Sequence, residues 1–199
     1  MLALMLLWFL ADPQANRPQR VAAPPPETFF VSTLPPDELR GKQAVLETAE
    51  GVIVLDLLAE AAPNHVRQFL RLAAAGVYDG TAFHRVVRGF VAQGGHLPTR
   101  REAPSERQQA YVRMLQPEFN DTPHDRGTLS MARLEDPASA SSSFFIVLAR
   151  TPALDGQYTV FGRVVDGLGV LEKIEAVPLD GETPVTRIEV TGVRLVKAP

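Results

Sequence analysis

Short apolar runs broken by glycine, proline and aspartate dominate the chain from Ala44 to Leu195. Ala44-Val45-Leu46-Glu47-Thr48 and Val52-Ile53-Val54-Leu55-Asp56-Leu57-Leu58 carry residues suited to a pleated, half-buried surface, and Ala49-Glu50-Gly51 between them predicts a hairpin. The period then changes. Pro63 stands at a favourable first helical position, and Val66, Phe69, Leu70, Ala73 and Ala74 recur three and four residues apart until Gly76, which predicts an amphipathic helix. Further strands are predicted at Phe83–Val87, Phe90–Gln93, Thr128–Ala132, Phe144–Leu148, Val160–Val165 and Ile188–Leu195, with a second helix over Gly167–Ala176. Many strands with a helix near each end predict a mainly-β barrel closed off by two helices.

The first part of the chain follows different rules. Every residue from Leu2 to Ala11 is apolar. That run is too short for the ~20 residues of a membrane-spanning helix and matches the ~7–15 of a signal-peptide core, so residues 1–11 are read as an export signal. No Lys or Arg precedes the run and no Ala-x-Ala site follows it before Arg17, so a cytoplasmic protein with a hydrophobic end is the other reading. Residues 12–41 hold seven of the seventeen prolines, including Pro24-Pro25-Pro26 and Pro35-Pro36, and read as a linker in which Phe29-Phe30-Val31 either docks on the domain or stays a loose apolar patch. The folded domain is expected over residues 42–199.

Composition narrows the chemistry. A net charge of −3 gives no basic stripe for a phosphate backbone, so no nucleic-acid partner is expected. The chain has no cysteine, which removes disulfides, thiolate metal sites and a thiol nucleophile. His65, His84, His96 and His124 never fall in an i, i+2 or i, i+4 pair, so no metal site is expected. Ser139, Ser141, Ser142 and Ser143 lack a Gly-x-Ser-x-Gly elbow, and a hydrolase is a minor alternative.

Three blocks, in order, resemble one family. They are Phe83-His84-Arg85-Val86-Val87-Arg88-Gly89-Phe90-Val91-Ala92-Gln93-Gly94-Gly95, then Gly127-Thr128-Leu129-Ser130-Met131-Ala132-Arg133, then Ser142-Ser143-Phe144-Phe145-Ile146 running on to Leu154-Asp155-Gly156-Gln157-Tyr158-Thr159-Val160-Phe161-Gly162. Over residues 43–196 the chain is similar to the cyclophilin-type peptidyl-prolyl cis-trans isomerases, in their compact bacterial form. The resemblance implies a closed eight-stranded antiparallel β-barrel capped by two α-helices, with a shallow groove on its outer face. It also implies a monomer that needs no cofactor and acts on proline-containing peptides and unfolded protein chains.

The reaction so implied is rotation about an X–Pro bond, whose amide resonance raises a barrier of roughly 18–20 kcal/mol. No bond breaks, so no nucleophile is required. A fixed donor aimed at the imide nitrogen withdraws its lone pair from conjugation, and a ~10⁵-fold acceleration asks for about 7 kcal/mol. Arg85 matches the family's catalytic arginine and suits the task, since a guanidinium stays a pure donor at ordinary pH. Gln93 is expected to hold that guanidinium through its carboxamide oxygen. Phe90, Val91, Phe145 and Leu154 match the apolar cup for the proline ring, Tyr158 closes it, and Ala132 and Arg133 match positions that meet the substrate through main-chain groups. Without the motif each apolar residue would read as plain core and Arg85 as a surface charge. His84 is expected to pack as a structural residue facing away from Arg85.

Two departures bear on activity. Ser143 stands where the family usually has Gln, which removes a hydrogen bond of ~0.5–1.5 kcal/mol to the peptide. Val91 replaces the usual Met and makes the cup shallower and stiffer. A working but slow isomerase follows; the alternative is a weakly catalytic module that binds proline peptides as a chaperone.

Overall fold

A computed structural model describes residues 29–198; the apolar run Leu2–Ala11 and most of the proline-rich linker lie outside the described residues. The strands are β1 (Lys42–Thr48), β2 (Gly51–Leu57), β3 (Thr81–Phe83), β4 (Arg85–Val87), β5 (Val91–Gly94), β6 (Thr128–Met131), β7 (Phe144–Val147), β8 (Val160–Asp166), β9 (Leu179–Asp180), β10 (Thr183–Pro184) and β11 (Ile188–Lys197). The helices are α1 (Pro36–Leu39), α2 (Pro63–Ala74), α3 (Glu106–Tyr111) and α4 (Leu168–Ala176). The β1–β2 hairpin forms as its sequence predicts. Thr48 fixes its turn, its hydroxyl accepting from the N–H groups of Glu50 and Gly51 and donating to the Gly51 carbonyl.

The main sheet has nine strands in the order β3-β11-β1-β2-β8-β6-β7-β5-β4, all paired antiparallel. Its two ends, β3 and β4, are consecutive in the chain. The predicted strand Phe83–Val87 is interrupted at His84: the residues before it pair with β11 and those after it with β5. The His84 N–H still donates to the Gln93 carbonyl at 3.0 Å, extending the β4–β5 ladder up to the break, so the chain itself joins the two ends of the sheet and the barrel is nearly closed. Counted as one broken strand, Thr81–Val87 makes the barrel eight-stranded.

The interior is filled by Phe69 of α2 with Tyr78, Phe83, Phe144 and Phe161, whose ring centroids lie 5.1–6.1 Å apart where they touch. On α2, Val66, Phe69, Leu70 and Ala73 are buried as the spacing predicts, whereas Ala74 is exposed and Leu72 takes its place. The N-terminus of α2 has no cap of its own, since Ala62 precedes Pro63. Glu118 supplies one from a distant loop: its carboxylate accepts from the Asn64 and His65 N–H groups at 3.1 and 3.0 Å, the Asn64 amide at 2.7 Å and His65 Nδ1 at 2.6 Å.

The linker expected over residues 12–41 gives way to packed structure within its described part. The Phe30 N–H donates to the Met114 carbonyl, the Arg71 guanidinium lies 4.5 Å over the Phe30 ring, and Leu39 of α1 is buried. The folded unit therefore starts before residue 42. Two further elements, α3 and the small β9–β10 hairpin, fall in segments where no element is predicted.

Candidate active site on the outer face of the barrel

The strand register assembles the site. Residues directly opposite one another in antiparallel strands project to the same face, about 4.8 Å apart per strand. Arg85 of β4 faces Gln93 of β5, Gln93 faces Phe145 of β7, and Phe145 faces Ser130 of β6, so four residues form one row. A second row runs Val87, Val91, Val147. Their neighbours Val86, Ala92, Phe144 and Ile146 point the other way, into the main core.

The outer rows make a separate apolar cluster of Val91, Ala132, Phe145 and Val147, against which the half-buried Phe90, Leu154 and Tyr158 pack. Tyr158 meets Phe145 edge-on at 5.4 Å, and His124 stacks on Phe145 at 6.1 Å. The floor is therefore held from several sides while Phe90, Leu154 and Tyr158 form the rim. Gly89, at φ +68, sharpens the β4–β5 turn that presents Phe90. At Gly95, φ is +71 and an added Cβ would stand 2.8 Å from the Ser142 carbonyl, so only glycine lets β5 leave the sheet beside Phe144.

Arg85 sits at the edge of this cup with its side chain 35% exposed. The expected partner differs. Its Nε donates to Glu182 at 2.6 Å and its Nη2 to the same carboxylate at 3.3 Å, whereas the Gln93 carboxamide makes no hydrogen bond among the described residues. Glu182, in the turn between β9 and β10, is itself anchored, since its carbonyl accepts from the Val86 N–H at 2.8 Å. A carboxylate matches the guanidinium fork in a way one amide oxygen cannot, which is why Glu182 takes it. Sequence reasoning missed this residue, 97 positions from Arg85; its only local sign is the turn dipeptide Asp180-Gly181 before it.

Arg133, expected to act through its main chain, also places its side chain in the site. Its guanidinium donates to the carbonyls of Leu134, Glu135 and Gln157 and lies 4.5 Å over the Tyr158 ring, so its side chain pins one wall of the cup. Ser143 is half-buried, with its carbonyl accepting from the Ala132 N–H at 2.9 Å and its hydroxyl unbonded among the described residues. His84 is half-buried beside His96, ring centroids 5.1 Å apart, and its pKa is lowered by burial first and by His96 next, which favours the neutral ring.

One arrangement imitates a hydrolase. Ser130 Oγ lies 3.2 Å from His124 Nε2, and His124 Nδ1 lies 3.0 Å from Asp155. Both Ser130 and His124 are fully buried, and the single hydroxyl hydrogen is shared with the Thr159 carbonyl at 2.9 Å. Burial lowers the His124 pKa despite Asp155, so the imidazole is neutral, and no substrate atom reaches the serine. The group braces Phe145 from behind. None of Ser139, Ser141, Ser142 and Ser143 hydrogen-bonds to a histidine among the described residues.

An apolar cup with a guanidinium held at its edge, and a Ser130–His124 pair that is fully buried, suit a protein that twists a prolyl bond without breaking it. The comparisons agree. The family model of the cyclophilin type peptidyl-prolyl cis-trans isomerases matches residues 43–195, and the chain belongs to that family. It is 38% identical to peptidyl-prolyl cis-trans isomerase-like 1 of Neurospora crassa, over 76% of this chain and 93% of the relative. It is also 41% identical to peptidyl-prolyl cis-trans isomerase CYP23 of Arabidopsis thaliana, over 71% of this chain and 63% of that longer relative. A cyclophilin type isomerase from Cryptosporidium parvum superposes with a TM-score of 0.71 at 29% identity, covering 79% of this chain and 99% of that one. The same Cryptosporidium protein, solved in the presence of the dipeptide Ala-Pro, gives 0.68 at 30% identity, covering 76% and 96%.

Proposed function

We propose that this chain accelerates cis-trans isomerisation of X–Pro bonds in extended or unfolded polypeptides, with Arg85 as the catalytic donor. The proline ring enters the cup between Phe90, Leu154 and Tyr158 and rests on Val91 and Phe145. The observation that carries the reading is the Arg85 guanidinium, fixed at the edge of an apolar cup on the outside of the barrel. With Nε and one Nη2 hydrogen committed to Glu182, Nη1 remains to donate to the imide nitrogen as it pyramidalises. The amide group of Gln93, adjacent in the same row and without a protein partner among the described residues, then serves the substrate backbone. The main-chain groups at Ala132 and Arg133 border the same cup.

Arg85→Ala tests the assignment in a prolyl-isomerisation assay. A loss of at least 10-fold, about 1.4 kcal/mol of barrier per decade, is expected with an unchanged circular-dichroism spectrum. Equal rates for wild type and variant would make the chain a peptide-binding module. The protein acts as a monomer without nucleic acid and is exported, Leu2–Ala11 being the signal core; an intact Met1 by mass spectrometry of a cytosolic fraction would sink the export reading.

A further inference from the structure

A second groove lies away from the cup and shares no residue with it. It has a volume of about 980 Å³ and runs between α1, α2, α3 and the end of β11. Among the described residues, the arginines divide sharply. Arg67, Arg71, Arg107 and Arg113 bond to no carboxylate and no backbone carbonyl, and every other arginine bonds to at least one. Three of these four line the groove, and the fourth is close enough to act on Arg71.

The fold places like charges against one another there. Arg67 and Arg71 stand four residues apart on α2, a spacing at which like charges repel. Lys42 and Lys197 stand directly opposite in the β1–β11 ladder, another repulsive placement. Both lysines also line the groove, and Glu38 is the one carboxylate among its lining residues. So five cations meet one anion in a chain of net charge −3. Burial and the neighbouring Arg67 act in the same direction on Arg71, lowering its pKa. The floor is apolar, formed by Leu34, Leu39, Leu70 and Leu195.

We infer that this groove binds an acidic segment of a second protein, one that alternates carboxylate and aliphatic side chains. Carboxylates relieve the repulsion among the cations, and aliphatic side chains cover the leucine floor. A nucleic acid suits the groove less well, because Tyr111, its one lining aromatic ring, already has the Arg71 guanidinium 5.1 Å from its centroid and offers no free platform on that side for a base. A segment held here raises the local concentration of neighbouring prolines at the cup without sharing any of its contacts.

The test uses the full chain and a fluorescein-labelled octapeptide of alternating Glu and Leu, which has no proline to occupy the cup. Anisotropy is expected to report binding that weakens as salt rises. The double variant Arg67→Glu/Arg107→Glu is expected to lose at least 10-fold in affinity, and Arg67→Gln/Arg107→Gln a smaller amount, with isomerase rate and circular dichroism unchanged. Lys173→Glu, on α4, is expected to bind as wild type. If the reversed pair perturbs the fold, the glutamine pair alone carries the test. Affinity unchanged in the variants overturns the inference. So does tighter binding, at equal salt, of a single-stranded oligonucleotide or of phosphatidylserine vesicles that the same variants abolish.

Discussion

Replacing Glu182 by Ala separates a positioning role from a merely electrostatic one. Glu182 accepts two hydrogen bonds from Arg85, at 2.6 and 3.3 Å, while its own side chain is 55% exposed and that of Arg85 is 35% exposed. An ion pair this open contributes ~0–1 kcal/mol to folding, so the melting temperature should hardly move. Activity responds differently. Freed from the fork, the guanidinium regains rotamer freedom worth up to ~2 kcal/mol for such a side chain. If about half of that returns, the donor is misplaced at a cost of ~1 kcal/mol, roughly a fivefold fall in kcat/KM. Glu182→Gln, keeping one acceptor oxygen, should fall about twofold by the same scale. A protease-coupled assay on a proline tetrapeptide measures both, and in an Arg85→Ala background Glu182→Ala should change nothing further. The opposite electrostatic argument predicts that removing a carboxylate beside the donor strengthens its pull on the imide nitrogen. An alanine variant as fast as wild type, or faster, would therefore refute the positioning role.

Two further substitutions probe other parts of the molecule. Ser143→Gln should raise kcat/KM by about 2- to 10-fold, the ~0.5–1.5 kcal/mol of one added hydrogen bond to the peptide, because the Ser143 carbonyl already anchors the backbone to Ala132; an unchanged rate would show that this gap is not limiting. Burial alone would raise the Glu118 pKa, but the hydrogen bonds from His65 and Asn64 outweigh it and hold it below its ordinary value of 4.5. A depressed folded pKa gives stability that is present above pH 4.5 and is lost as the pH falls through the lower folded value. Glu118→Gln should thus lower unfolding free energy by about 2 kcal/mol at pH 7, with the gap to wild type closing in acid; urea titrations showing the same gap at pH 7 and pH 3 would contradict this.

What the sequence shows of this protein follows the reach of its physical signals. The short apolar run Phe144-Phe145-Ile146-Val147 and the period-3.6 spacing in α2 act within a few residues, and both elements form where they are predicted. Contacts made across the chain carry no such local sign. Glu182 and Glu118 act on partners 97 and 53 residues away, and each sits in a loop where an acidic residue is ordinary. The break at His84 is invisible for a related reason: the chain from Phe83 to Val87 reads as one run, and only the twist needed to join β11 on one side and β5 on the other splits it. Helix α3 did carry a signal, the capping box Ser105-x-x-Gln108, in which the Ser105 hydroxyl accepts from the Gln108 N–H and the Gln108 side chain accepts from the Ser105 N–H. Six residues hold too few apolar positions to show a period, so the cap alone does not predict a helix.

The outward cup raises a question of cost, since apolar surface facing water is unfavourable at about 25 cal/mol per Å². The arrangement of β7 shows how the cost is limited. Phe144 and Ile146 serve the barrel interior, while Phe145 and Val147, on the same four-residue strand, are only 5% and 0% exposed although they face outward. Their cover comes from Tyr158, Leu154 and the buried His124, and those covering groups are themselves fixed, Tyr158 by Arg133 and His124 by Asp155. The floor is thus covered and braced before any peptide arrives, so the rim carries most of the surface that binding would remove from water. A preformed floor loses little conformational entropy to the substrate. Binding energy from the proline ring is then available to hold the imide nitrogen against Arg85, which is where a twisted amide differs from a planar one.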